Sequence, residues 1–219
     1  MDKVLDNGFI RLVDSMGNDM SVVKAARVSY GEESKGEKAD NGLINYMMKH
    51  NHGTPFEHIV FTFHVKCPIF VARQWFRHRI GSFNEISGRY VRLETDVYMP
   101  EHFRTNSSAN RQVSSNTKWD MEELITIEAS YETAIKTALE AYEDLLEVGV
   151  AKEQARAILP LGVYTEFYWT VNARSLMNFI NLRGSSDAQW EIQQYAEKIK
   201  SIALKQAPVV FKAYFRNGE

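Results

Sequence analysis

At 219 residues, with 44% hydrophobic and 25% charged side chains, the chain has the composition of a globular protein that can bury a sizeable core. Its net charge of −2 argues against a general nucleic-acid-binding surface, and its one cysteine, Cys67, excludes an intrachain disulfide and fits a reducing compartment. The sequence shows neither a bilayer-length apolar run nor a signal-peptide core at residues 1–6. We therefore expect one cytoplasmic domain over residues 1–219, without membrane attachment.

The first part of the chain predicts one short strand and two helices. Apolar, β-compatible residues over 8–13 predict the strand, and residues 21–27 predict a short helix after a turn. A polar, charged loop is expected over 31–40, and residues 41–50 predict a second helix with one apolar side. The Thr54–Pro55 pair then predicts extended or turn backbone, because proline disfavours helical geometry at the residue before it.

Two segments alternate between apolar and polar residues, which is typical of half-buried strands. They lie at 58–66 and 163–172. Pro68 ends the first strand and suits the first turn of a helix, which would run to Phe76 and carry Gln74 near its C-terminal end. The predicted buried faces are formed by Ile59, Phe61, Phe63 and Val65, and by Val163, Thr165, Phe167, Trp169 and Val171.

The second half of the chain is mainly helical. Residues 105–117 are rich in serine, asparagine and threonine and predict a mobile surface loop. Apolar residues at helical spacing predict a long helix over 119–148 that stops at Gly149, and most of them are expected to be core or subunit contacts. Further helices are predicted over 150–159, over 173–182 with Asn172 as N-cap, up to Ala207 from a Ser186-x-x-Gln189 capping box, and from Pro208 to Phe215.

These elements together predict an α+β fold. At least two half-buried strands would contribute to an antiparallel or mixed sheet, with helices packed on it. No Gly-x-Gly-x-x-Gly motif follows a strand, which argues against a Rossmann fold. His50, His52 and His58 are close in sequence, but their spacing fits no established zinc pattern, so we expect no metal site.

Residues 74–92 have the composition of an anion-binding site. Four arginines, a histidine and two serines fall within this stretch, and Gly81 and Gly88 let backbone approach a ligand. Arginine offers a rigid, charged fork of donors that matches phosphate oxygens. The alternative is a solvated surface turn. Large apolar residues interleaved with the charges argue against that alternative, namely Trp75, Phe76, Phe83, Ile86 and Tyr90.

The same stretch carries a recognisable pattern. Seven residues separate Arg77, His78 and Arg79 from Ser87, and the pattern is completed by Ser82, Asn84 and Arg89. This thirteen-residue pattern resembles the signature of the flavin-dependent thymidylate synthases, and all seven of its fixed positions match. Further blocks around 52–57 and 172–183 also resemble the family, so the similarity extends over nearly the whole chain.

The resemblance implies an enzyme that converts dUMP to dTMP. It would take the one-carbon unit from 5,10-methylenetetrahydrofolate and electrons from NADPH, with hydride delivered through FAD. The implied assembly is a homotetramer with active sites built between subunits, acting on small molecules and not on nucleic acid. Taken alone, Arg156 and Arg183 would be ordinary surface ion-pair residues, and only the resemblance makes them site candidates.

The resemblance also assigns roles residue by residue. The catalytic candidates are Arg183, Ser87 and His52, with His52 near the flavin ring and the folate. Residues that match FAD contacts are Ser29, Thr54, Glu57, Arg77, His78, Arg79, Ile80, Asn172 and Asn178. Residues that match nucleotide contacts are Gln74, Arg77, Glu85, Ser87, Gly88, Arg89, Arg156, Leu182 and Arg183.

The chemistry of the reaction agrees with these roles. A dianionic phosphate suits Arg89 and Arg156, with the hydroxyl and amides at Ser87 and Gly88 as neutral donors. A cation such as Arg183 at the oxygen edge of uracil would stabilise the charge that develops there. A nucleophilic role for Ser87 is disfavoured, because its motif supplies no evident histidine base.

Two other functions remain open at this point. One is a related flavin-dependent enzyme that alkylates uracil with another acceptor or product. The other is a single-stranded nucleic-acid-binding module in which Trp75, Phe83 and Tyr90 stack on bases. The near-neutral charge argues against the second.

Overall fold

The computed structural model describes residues 1–31, 33–107, 114–115 and 118–217. The predicted α+β class is confirmed: one antiparallel sheet packs its buried face against helices. The strands are β1 (Asp2–Val4), β2 (Gly8–Met16), β3 (Val60–Pro68), β4 (Ser82–Glu85), β5 (Thr105–Asn106), β6 (Ser114–Ser115) and β7 (Tyr164–Asn172), and the helices are α1 (Asp19–Arg27), α2 (Glu37–Lys49), α3 (Ile69–Trp75), α4 (Met121–Glu147), α5 (Lys152–Ala155), α6 (Ala173–Arg183), α7 (Trp190–Gln206) and α8 (Pro208–Asn217).

The two strands with strict alternation form the centre of the sheet. The strand order is β1-β2-β3-β7-β4, and β3 pairs with β7 along its whole length, with Phe63 opposite Trp169. Phe61, Phe63 and Val65 are fully buried, whereas Thr62 and His64 between them are half-buried. The alternating pattern therefore predicted both the strands and the buried face.

Trp75 lies at the centre of an aromatic cluster between the sheet and the helices. Its indole ring is fully buried and meets Phe167 and Trp169 on β7 edge-on, at 5.4 Å between ring centroids in both cases. It also contacts Phe179 on α6 and Tyr195 on α7. This packing fixes the short helix α3 and so determines where the chain enters the arginine-rich stretch.

Strands β1 and β4 were not predicted from the sequence. β4 lies inside the arginine-rich stretch and pairs antiparallel with β7 at the edge of the sheet. Ser82, Asn84 and Glu85 are exposed, and only Phe83 packs against the core. Three of the four residues therefore have weak β-propensity, and the strand forms because β7 supplies its hydrogen-bond partners.

Helix α2 begins within the predicted loop over 31–40. Asp40 is only 2% exposed, and it accepts hydrogen bonds from Arg27 at 2.6 Å and from Ser34 at 2.5 Å. The charged residues of this segment thus serve a buried ion pair between α1 and α2, and the loop prediction was wrong from Glu37 onward.

Two other local predictions were wrong. Thr54–His58 forms a 3-10 helix instead of extended or turn backbone, with Pro55 in its first turn, where a missing N–H is tolerated. The Ser186-x-x-Gln189 capping box is absent: Gln189 is the N-cap of α7, without a side-chain cap, and its side chain binds Gln74. A short 3-10 helix, Arg156–Ile158, also follows α5 within the predicted helix over 150–159.

The segment over 105–117 was predicted as a loop. In its described part, β5 and β6 form a small antiparallel pair, in which the hydroxyls of Thr105 and Ser115 lie 2.6 Å apart. Residues 108–113 and 116–117 lie outside the described residues, and the prediction for them stays a prediction.

Helix α4 is the longest element, and its extent agrees with the prediction. Asp120 and Glu123 form a capping box at its start, and Gly149 follows its end with φ of 88°. Only Tyr142 is buried among its 27 residues, and the other apolar residues on its inner side are half-buried. Of the helices in the described part of the chain, none combines the length and apolarity of a bilayer span.

The buried pair between Arg27 and Asp40 predicts a pH-dependent contribution to stability. The Ser34 hydroxyl, together with the Lys35 N–H and Arg27, holds the pKa of Asp40 below its usual range. The ionised Asp40 carboxylate therefore stabilises the folded state above the unfolded-state pKa of about 4. This contribution is lost as the pH falls through the lowered folded-state pKa. In urea unfolding, we expect the difference between wild type and Asp40→Asn to shrink from pH 7 to pH 3.5.

The exposed carboxylate of Asp144 on α4 provides the matched control. Asp144→Asn should change stability little at any pH, because an exposed substitution of this kind is usually nearly neutral. A pH-independent loss in Asp40→Asn, or an equal loss in Asp144→Asn, contradicts the role of the buried pair.

Candidate active site

The C-terminal ends of α3 and α6 bring four predicted site residues together. Arg183 donates from Nε to Nε2 of His78 at 2.9 Å and from Nη2 to the carbonyl oxygen of Gln74 at 3.1 Å. Burial, followed by the charge of Arg77, lowers the pKa of Arg183, but a guanidinium keeps its charge throughout the physiological range. We call Gln74, Arg77, His78 and Arg183 the first group.

His78 is held as a neutral hydrogen-bond acceptor. Burial and the nearby charge of Arg183 lower its pKa to about 4. Because Nε2 accepts from Arg183, the neutral ring carries its proton on Nδ1. The ring also packs edge-on against Phe179, with 4.9 Å between centroids. His78 thereby orients Arg183 without competing for the same anion.

A second group follows β4. The N–H of Arg89 donates to Ser87 Oγ at 3.3 Å, and the Arg89 guanidinium lies 3.1 Å from Glu153 on α5. Gly88 is buried, and a Cβ at this position would lie 3.1 Å from Cδ of Arg156. Only glycine lets the loop pack this closely on Arg156 without displacement of its side chain. The second group comprises Ser87, Gly88, Arg89 and Arg156.

The sheet separates these two groups. Arg77 and His78 precede β4, whereas Ser87 follows it, and four residues of extended strand span about 13 Å. The strand is anchored on β7, because Thr165 donates to the Glu85 carboxylate at 2.6 Å and the Ile86 N–H donates to the Glu166 carbonyl at 2.9 Å.

A third group surrounds the 3-10 helix Thr54–His58. His52 and Asn178 line a cavity of about 230 Å³, together with Gly53 and Arg174. Arg174 pairs with Glu57 at 2.7 Å, and a Cβ at Gly53 would lie only 2.6 Å from the Arg174 side chain. Exposed donors at a cavity of this kind suit a polar or anionic ligand. The third group comprises His52, Thr54, Glu57 and Asn178.

The remaining predicted site residues are placed outside these contacts. Arg79, Ile80 and Leu182 are exposed beside the first group, and Ser29 is exposed in the 3-10 helix Val28–Tyr30. Asn172 caps α6, its carboxamide oxygen accepting the Ser175 N–H at 2.9 Å. One subunit therefore presents most of the predicted residues in three groups of direct contacts, and their roles stay predictions.

Three further residues contact the groups and were missed from the sequence. Arg174 lies in the first turn of α6, between Asn172 and Asn178, which both match FAD contacts. This position in the sequence could have identified it as a site candidate. Gln189 bonds to Gln74, although they are 115 residues apart, and Glu153 pairs with Arg89 across 64 residues. Neither of these two distant contacts has a local signal in the sequence.

Cys67 contributes no reactive thiolate. It is completely buried, and burial raises the pKa of its thiol well above the usual value, with Glu85 adding to the shift. Among the described residues, no three His, Cys, Asp or Glu side chains are grouped closely enough to hold a metal.

Comparison with known proteins places this arrangement in a family. The model of the family described as "Thymidylate synthase complementing protein" matches residues 11–209. A flavin-dependent thymidylate synthase of Thermosipho africanus is 56% identical over 217 residues, covering 98% of this chain and 93% of that protein. The one from Thermus thermophilus is 51% identical, covering 96% of this chain and 77% of that protein.

Solved structures show the same similarity in three dimensions. The UMP/dUMP methylase PolB from Streptomyces cacaoi, bound with 5-Br UMP, superposes with a TM-score of 0.86 at 35% identity. The match covers 99% of this chain and 97% of that chain. The same methylase bound with 5-Br dUMP gives a TM-score of 0.87.

The environment of His78 predicts an unusual titration. Because its pKa is lowered to about 4, the ring should stay neutral from pH 8 down to pH 5. NMR of selectively labelled histidine should show this resonance unshifted over that range. Arg183→Ala should raise the pKa, because it removes the positive charge beside the ring. A wild-type midpoint near 6.5, or an unchanged midpoint in Arg183→Ala, contradicts this description.

Proposed function

Because the chain belongs to the flavin-dependent thymidylate synthase family, we propose that it converts dUMP to dTMP, with 5,10-methylenetetrahydrofolate as methylene donor and NADPH as reductant of FAD. The observation that carries the proposal is the fixed guanidinium of Arg183, which His78 and Gln74 hold at a half-buried position. The full-length match to curated relatives at more than half identity supports the same activity.

The third group has the donors that a flavin dinucleotide requires. Arg174, His52 and Asn178 border the cavity, and the Arg174–Glu57 pair is exposed enough to exchange partners on binding. A bound flavin supplies the hydride that completes the methyl group. The cavity of about 230 Å³ is below the usual 300–1,000 Å³ of a ligand pocket, so one subunit supplies only part of this site.

The second group fits the phosphate of the nucleotide. Arg89 and Arg156 provide charged forks, and Ser87 adds a hydroxyl beside the backbone of Gly88. The Arg89–Glu153 pair is more than half exposed on both sides, and such a pair contributes little to stability. Arg89 can therefore leave Glu153 for a dianionic phosphate at small cost.

The first group fits the pyrimidine ring. Attack by C5 of uracil on the methylene carbon requires a ring enriched in electron density, and in this activated form negative charge is shared between C5 and the ring oxygens. A guanidinium that is oriented before the substrate arrives stabilises this charge without reorganisation. Arg183 meets that condition, since two acceptors already fix its plane. Ser87 serves as a phosphate ligand in this scheme and makes no bond to uracil.

We propose in addition that the protein is a homotetramer with active sites between subunits. Three observations support it: the site residues form three separate groups, the third cavity is small, and α4 buries only Tyr142. The apolar side of this 27-residue helix stays half-exposed, as expected of a surface that a partner covers. Light scattering of the purified protein should give four times the mass of a 25.2 kDa chain.

The decisive test of function is product analysis with two nucleotides. The purified protein should be yellow, its flavin should bleach with NADPH, and dUMP with methylenetetrahydrofolate should yield dTMP by mass spectrometry. UMP should be the poorer substrate. The likeness to PolB supports a second candidate, a methylase that accepts both nucleotides, and equal kcat/KM for UMP would favour it. Colourless protein that forms neither product contradicts both.

Arg183→Ala should reduce kcat by about 10²–10³, the usual effect of removing one preorganised donor from a developing oxyanion. The flavin spectrum should be retained, because none of the residues that match FAD contacts is changed. Arg73→Ala removes an exposed guanidinium from the same region, on α3, and should leave kcat unchanged. Near-normal turnover in Arg183→Ala would exclude the assigned role of this residue.

A further inference from the structure

A cavity of about 490 Å³ lies apart from the three groups, between the segment after the arginine-rich stretch and the first turns of α4 and α7. Its lining includes four aromatic side chains and two basic ones: Tyr98, Phe103, Trp119, Trp190, Arg104 and Lys118. We call it the aromatic pocket. None of its lining residues matches a position that the family resemblance assigns to flavin or to dUMP.

The walls of the aromatic pocket are held in place before any ligand binds. The indole N–H of Trp119 donates to the Phe103 carbonyl oxygen at 2.7 Å, and the Phe103 ring packs edge-on against Tyr131 at 5.3 Å. The Arg104 guanidinium lies over the Trp190 ring, 5.2 Å from its centroid. Rigid aromatic walls reduce the ordering cost of binding and favour a flat ring as the ligand.

A buried acceptor behind these walls has no partner. Glu191 is 2% exposed, and its Oε1 accepts from the Tyr98 hydroxyl and from Arg104. Its second carboxylate oxygen is buried and has no hydrogen-bond partner among the described residues. This carboxylate lies behind the lining residues, and its ion pair with Arg104 holds that guanidinium at the wall of the pocket.

The aromatic pocket is connected to the first group. Trp190 follows Gln189 directly, and the Gln189 side chain accepts a hydrogen bond from Gln74. The backbone carbonyl of Gln74 in turn accepts from Arg183. A ligand in the pocket therefore lies next to a chain of contacts that ends at the proposed uracil site.

We propose that the aromatic pocket binds the adenosine end of NADPH, with adenine against Trp119 and Trp190 and its phosphate at Lys118 and Arg104. The proposal rests on the proposed function, which requires NADPH and leaves it without an assigned site. A flat ring with an anionic tail matches the aromatic walls and the two cations. The volume suits one half of the dinucleotide.

The direct test is calorimetric titration of the flavin-loaded full-length enzyme with adenosine 2′,5′-bisphosphate. Wild type should bind saturably, and Trp190→Leu should weaken binding about tenfold through loss of one stacking surface. Trp190→Phe should restore most of the affinity, and Lys118→Ala should weaken it with a steeper effect at low salt. Tyr168→Leu, which removes an exposed aromatic ring from the sheet, is the control.

Kinetics separate this proposal from the proposed function. Trp190→Leu should raise KM for NADPH about tenfold and leave KM for dUMP unchanged. Chemical reduction of the flavin by dithionite bypasses NADPH, so single-turnover dTMP formation should equal wild type. An unchanged KM for NADPH, or a selective rise in KM for methylenetetrahydrofolate, overturns the proposal. Absence of dTMP in wild type counts against the proposed function, while the titration, which needs no turnover, still decides the pocket.

Discussion

The burial of one indole, Trp75, is the contact on which the geometry of the candidate site depends. The ring is enclosed by side chains from β7, α6 and α7, so the short helix α3 can end at only one position relative to the sheet. Gln74 and Arg77 then emerge beside the end of α6, where Arg183 meets them. The indole N–H of Trp75 is buried without a hydrogen-bond partner among the described residues. Such a group costs about 1–3 kcal/mol, which the surrounding aromatic packing must offset.

The same region concentrates positive charge, since Arg77 and Arg183 lie close to each other. Arg77 and Arg183 disfavour each other, and burial adds to the effect on Arg183. His78 does not offset this repulsion, because its ring stays neutral and only accepts a hydrogen bond through a lone pair. Like charges held this close cost stability, and the proposed binding of an electron-rich ring or phosphate here would offset that cost. This local loss of stability accompanies a guanidinium, that of Arg183, which is already oriented before a ligand binds.

Structural features with a local cause in the sequence were predictable, and features that depend on distant contacts were not. The central strands were predictable because each has one apolar face, from Ile59 to Val65 and from Val163 to Val171. The N-terminal turn of α2 was not predictable. Asp40 is a residue type common in loops, and its burial depends on the ion pair with Arg27. The anion site predicted from residues 74–92 stays a prediction, and the motif is compact only in sequence: β4 separates Arg77 from Ser87 along the chain, and this separation follows from pairing with β7. The capping prediction for α7 also failed, and the side chain of Gln189 instead bonds to Gln74, which is distant in sequence.

The sheet has a further property that follows from its two outer strands. β1 has three residues and β4 has four, while the strands they border have nine each. Irregular chain borders part of β7 beyond β4, where the Tyr164 N–H donates to the Asp96 carbonyl and the Ile86 N–H donates to the Glu166 carbonyl. A short edge that carries charged and polar side chains offers little to a strand from another molecule. At β1 and β4 the sheet therefore resists edge-to-edge aggregation with other molecules.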